Sequence, residues 1–97
     1  MNFKITFTPE AVALLSKLHP ESKKLIRSAL KELSQNPDSG DDLQGELSGF
    51  KSCKPKRYRI LYKIDEENRL IQVYYVGHRK DVYEQFRLLL NKLRAVE

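Results

Sequence analysis

Ninety-seven residues with a net charge of +5, 40% hydrophobic and 32% charged, describe one compact domain over residues 1–97 and exclude a disordered chain. A single cysteine, Cys53, excludes an internal disulfide, and one cysteine with two scattered histidines makes no metal site. No apolar run approaches the ~20 residues of a membrane span and no secretory signal opens the chain, so a cytoplasmic protein without cofactor, metal or membrane is expected.

Asn2 to Phe7 alternates, with Phe3, Ile5 and Phe7 on one side, as a half-buried strand does. Thr8-Pro9 then reads as a helix start, a capping hydroxyl followed by proline at the first helical position. Ala11, Leu14, Leu15 and Leu18 form a short apolar stripe that ends at His19-Pro20. Pro20 opens a second helix whose face is Leu25, Ile26, Ala29, Leu30 and Leu33, closed by Asn36-Pro37-Asp38-Ser39-Gly40. The two make a helical hairpin.

A polar loop follows, anchored by Leu43 and Leu47, and then strands: a short one over Gly49–Cys53 and a longer one from Arg57 to Asp65. The longer strand has Tyr58, Ile60, Tyr62 and Ile64 on one face and Arg57, Arg59, Leu61 and Lys63 on the other. Leu70 to Val76 is nearly continuous in apolar character, as in a strand covered on both sides. From about Asp81 a last helix places Val82, Phe86, Leu89, Leu90 and Leu93 at helical spacing. The predicted fold is α+β, in the order β-α-α-β-β-β-α. It is a four-stranded, mainly antiparallel sheet with an N-terminal helical hairpin and a C-terminal helix. The helices are expected mainly on one face, leaving the face with Arg57 and Arg59 partly open.

Charge is unevenly placed. Lys51, Lys54, Lys56, Arg57 and Arg59 lie within nine residues that hold no acid, so this stretch carries the whole net charge. A second basic cluster, His78-Arg79-Lys80, follows the next strand. Concentration of this kind is the footprint of a polyanion-binding surface, whereas scattered lysines would only solubilise.

Three segments in order, Leu43–Lys51, Arg57-Tyr58-Arg59-Ile60-Leu61-Tyr62 and Val76-Gly77-His78-Arg79-Lys80-Asp81-Val82-Tyr83, resemble the RelE/ParE toxin superfamily of type II toxin–antitoxin systems. The leading strand and helical hairpin fit as well, so the resemblance covers nearly the whole chain. It implies a toxin held by a cognate antitoxin, RelB-like or of another class, with the free toxin a monomer. Within the superfamily the RelE branch cleaves mRNA in the ribosomal A site, whereas the ParE branch inhibits DNA gyrase without a nuclease centre. The basic cluster favours the endoribonuclease, with the ribosome and mRNA as partners; the gyrase inhibitor is the alternative, and an inactive RNA-binding module a third.

Metal-free RNA cleavage needs the ribose 2′-hydroxyl to attack phosphorus, charge on the phosphate to be neutralised, and the 5′-oxygen to be protonated. Arginine suits the phosphate, since its planar fork stays ionised and donates in pairs. The resemblance carries the catalytic arginines over to Arg59 and Arg79, the C-terminal tyrosine to Tyr83, and a basic-strand lysine to Lys51. Against these stand a surface arginine packing its stem, a loop-capping arginine, a core aromatic and a plain phosphate-binding lysine. Lys54, Lys56 and Arg57 read as RNA-backbone contacts that make binding salt-sensitive. Here the chain departs from the family's pattern: Cys53 stands where a second catalytic lysine is expected, so the general base is open among Lys51, Lys54, His78 and Glu46. Strand alternation points His78 away from Arg79, and His19 reads as structural.

Overall fold

The computed structural model describes residues 2–96. Its elements are β1 (Lys4–Phe7), α1 (Pro9–Ser16), α2 (Pro20–Gln35), β2 (Asp41–Asp42), β3 (Lys51–Cys53), β4 (Tyr58–Asp65), β5 (Leu70–His78) and α3 (Val82–Val96). Single 3-10 turns lie at Pro37–Ser39 and Gly45–Leu47. Among the described residues no helix is long and apolar enough to cross a membrane.

Local chemistry sets the helix starts. The Thr8 hydroxyl accepts from the Ala11 N–H at 3.2 Å, and Pro9 occupies the first turn, where no donor is needed. His19 does the same for α2, its Nδ1 accepting from the Glu21 N–H at 3.3 Å. This structural duty fits the expectation for that histidine.

The sheet has five strands in the order β1-β5-β4-β3-β2, with β1 parallel to β5 and the other pairs antiparallel. The α+β architecture and element order are as expected; the strand count is not. The extra strand, β2, is two residues long, too short for any alternation to announce it, and forms by pairing Asp41 with Ser52 and Asp42 with Lys51.

A second difference matters more for the site. The helices do not share one face. Ile60, Tyr62, Ile71, Val73 and Val76 pack with Ala11, Ile26, Leu30 and Leu33 on the hairpin face. Leu61, with Phe50 and Leu47, packs beneath Val82 and Phe86 of α3 on the other. An irregularity in register drives the second layer. Leu61 pairs with Tyr75 and Tyr62 with Val73, so Tyr74 is an extra residue in β5, and both tyrosines join the α3 face. The rings of Phe50, Tyr74 and Tyr75 together with Leu61 exceed what a sheet leaves to water, and α3 covers them. Its stripe runs out toward the end: Leu93, expected inside, is 48% exposed.

Tyr62 is fully buried, its hydroxyl donating to the Pro37 carbonyl at 2.8 Å, and burial pushes its phenol up to about 12. Gly40 makes room for it. A Cβ at this glycine would collide with the Tyr62 hydroxyl and lie 2.8 Å from the Ser52 carbonyl oxygen, which is backbone and cannot swing away. Gly40→Ala is therefore expected to cost about 1–3 kcal/mol in urea unfolding, and a loss under about 0.5 kcal/mol would show that the segment before β2 shifts freely.

Candidate functional site

The basic segment folds as the link from β3 to β4. Lys54 and Pro55 leave the sheet, Lys56 adopts a left-handed backbone with φ 52°, and the Tyr58 N–H closes the turn on the Pro55 carbonyl at 3.0 Å. Arg59 stabilises this turn from inside, its guanidinium donating to the carbonyls of Lys56 at 2.9 Å and Tyr58 at 2.7 Å. The side chain is half-buried and its conformation is fixed, so little rotamer freedom remains to be lost on binding.

Register brings the second cluster alongside. Arg59 pairs with Gly77 and Tyr58 with His78, and the Arg79 N–H donates to the Arg57 carbonyl at 2.7 Å. Arg57, Arg59 and Arg79 thus meet where β4 begins and β5 ends. Arg59 lies on the α3 face, two residues from Leu61, or roughly 7 Å along the strand. Across from it, α3 begins close to the sheet, with the Val82 side chain packed over Gly77. The first turn of α3 then carries Tyr83 over β3, where its hydroxyl lies 2.9 Å from the Ser52 hydroxyl. Ser52 pairs with Leu61, so Tyr83 and Arg59 lie on one face of the sheet.

The same register separates Lys51 from this group. Lys51 pairs with Tyr62 and shares the hairpin face, and its ammonium lies 2.9 Å from the Asp42 carboxylate. Expected beside Arg59, it lies instead on the far side of the sheet, because β3 residues alternate and Ser52 takes the α3 face. Lys54 is also engaged, with Asp41. By contrast Lys56, Arg57, Arg79 and Lys80 are exposed and form no ion pair among the described residues.

Lys54 donates a hydrogen bond to Asp41 and sets positive charge beside it, holding this carboxyl below the usual range. Its stabilising contribution is therefore complete above the unfolded carboxyl pKa and fades as pH falls through the lowered folded value. Lys54→Met is expected to return the Asp41 titration, followed by carboxyl NMR, toward that of an ordinary aspartate. An unchanged titration would mean that the pair does not persist in solution.

The other candidates lie outside the group. His78 faces the hairpin, its ring edge-on to Tyr58 at 6.3 Å and its Nδ1 accepting from the Lys80 N–H at 3.2 Å. Cys53 packs against the hairpin core, and burial pushes its thiol up, away from thiolate chemistry. Glu46 is exposed in the turn before β3. Sequence reasoning missed Ser52 and the acids of β2. A serine inside an alternating strand gives no sign of its partner, and Asp41 and Asp42 meet their lysines only through a strand pairing that two residues cannot signal.

Residues 5–87 match the family described as ParE-like toxin of type II bacterial toxin–antitoxin system. The chain is 34% identical over 87 residues to Toxin RelG of Mycobacterium tuberculosis, covering 88% of this chain and all of that protein. It is 27% identical over 90 residues to the Putative toxin RelE4 of Methanocaldococcus jannaschii, covering 89% of this chain and 96% of that one. Its fold is similar to that in the crystal structure of the toxin–antitoxin complex RelBE2 from Mycobacterium tuberculosis. There the TM-score is 0.75 at 33% identity, over 81% of this chain and all of that one.

Proposed function

The chain belongs to the ParE-like toxins of type II bacterial toxin–antitoxin systems, within the RelE/ParE superfamily, and from that premise we propose that it is an endoribonuclease that cuts mRNA on the ribosome. The observation that carries this reading is the meeting of Arg57, Arg59 and Arg79 with Tyr83 at one end of the sheet. A basic group that forms no ion pair among the described residues, with a hydroxyl on the same face of the sheet, has the parts for phosphodiester chemistry.

In this reading Arg59 and Arg79 hold the scissile phosphate and neutralise the charge that builds on its oxygens as the 2′-hydroxyl attacks. Each such donor contributes roughly 10²–10³ in rate. Tyr83 gives its proton to the departing 5′-oxygen, a step worth about 10²–10⁴. Lys56, Arg57 and Lys80 contact neighbouring phosphates, and Lys54 joins them on leaving Asp41. Lys51 takes no step, since Asp42 and the sheet itself keep it from the reacting atoms.

A cognate antitoxin is part of the proposal. The RelBE2 relative was crystallised as a toxin–antitoxin complex, and a surface carrying all the net positive charge suits an acidic partner that associates fast and salt-sensitively.

The test is to map mRNA ends after brief induction of the chain in growing cells. New ends inside translated codons, appearing with growth arrest, are expected. Arrest with intact mRNA and an induced DNA-damage response would move the assignment to gyrase inhibition.

A further inference from the structure

Ser52 is only 1% exposed and, tyrosine aside, is the one polar residue in the core of the described chain. Among the described residues its hydroxyl has a single side-chain partner, the Tyr83 hydroxyl at 2.9 Å. Either oxygen can donate, and the two choices differ in cost. With Tyr83 as donor, the Ser52 hydrogen is buried with no acceptor, a loss that buried polar groups rarely carry. With Ser52 as donor, its hydrogen is satisfied and the Tyr83 proton is left without a protein acceptor. Tyr83 is half-buried, so that proton is free for a group arriving from outside.

On the nuclease reading above, we infer that Ser52 is a positioning residue for Tyr83. It donates to the phenolic oxygen, fixes the ring on the face that carries Arg59 and turns the phenolic proton toward the phosphate ester. In the step, the 2′-oxygen bonds to phosphorus while its proton passes to water. The bond from phosphorus to the 5′-oxygen breaks, and the phenolic proton moves to that oxygen. The charge left on the phenolic oxygen is held by the Ser52 hydrogen bond until the proton released to water returns to it. The products are a 2′,3′-cyclic phosphate and a free 5′-hydroxyl. The assignment makes Tyr83 an acid and gives the serine a reason to sit at this point of β3, where its cross-strand neighbour is Leu61.

The test is single-turnover cleavage of ribosome-bound mRNA by the full chain, with urea unfolding of each variant alongside. Ser52→Ala is expected to lower the maximal rate about tenfold while KM stays within about twofold. Ser52→Thr keeps the hydroxyl and is expected to recover most of the rate. Ser52→Ala combined with Tyr83→Phe is expected to be no slower than Tyr83→Phe alone, because the serine acts through the tyrosine. If alanine prevents folding, Ser52→Cys, similar in shape but a poor donor, carries the same expectation. An unchanged rate in Ser52→Ala, or losses that multiply in the double variant, would overturn the inference while leaving the nuclease reading intact. A wild-type chain that leaves mRNA whole would overturn both.

Discussion

Arg59→Ala is expected to slow mRNA cleavage by about 10²–10³, the largest single loss at the site. The residue combines three properties that the exposed arginines lack together. It is half-buried, so its charge acts through a medium less polar than water; it is fixed by two carbonyls; and it stands on the same face as Tyr83. A preorganised donor spends little on rearranging when the phosphate arrives. Arg59→Lys is expected to recover little, since one ammonium cannot span both the turn carbonyls and a phosphate edge. The loss of the two turn bonds will also lower stability by about 1–2 kcal/mol, so unfolding must be measured with the rate. Arg79→Ala should give a loss of its own, and the two together should fall short of the product because they serve one phosphate. Full toxicity in Arg59→Ala, with the protein folded, would sink the nuclease assignment and favour gyrase inhibition.

Phe86→Ala is expected to cost about 3–5 kcal/mol, a large part of the ~5–15 kcal/mol that holds a small domain together. Phe86 is 1% exposed and sits edge-on to Phe50 at 4.9 Å and tilted against Tyr75 at 5.5 Å. With Val82 one turn earlier it attaches α3 to the sheet, since the later leucines of the helix are half-buried or exposed. Removing the ring leaves a cavity between two layers that have little else to close over it. Denaturant unfolding measures the cost, and a loss below about 1 kcal/mol would mean that α3 is not seated on the sheet as described. Toxicity should fall along with stability, because α3 carries Tyr83.

Most of the fold was legible because its long elements are strongly periodic. The stripe of α2, the alternation of β4 and the capped start at Thr8-Pro9 each admit one reading. The basic segment was legible for a different reason, since charge crowded into nine residues survives any choice of register. What could not be read depends on pairings between distant segments. Tyr74 becomes an extra residue only when β5 is aligned with β4, and this sends two tyrosines to the α3 face and draws the helix after them. Lys51 looks like Lys54 in sequence, yet β3 pairing gives it the hairpin face and an acid neighbour. For the same reason Ser52 passes unnoticed: its partner is thirty-one residues away.

The parallel pairing of β1 with β5 joins Lys4 to Leu70 and Phe7 to Val73, the first strand of the chain to the last. During synthesis β1 has no strand to pair with until β5 has been made, and Tyr83 follows later still. Contacts this distant in sequence form late and slowly. A chain that stops short of Tyr83 therefore cannot assemble the arginine–tyrosine group, so the site comes into being only after β5 and the first turn of α3 have both been made.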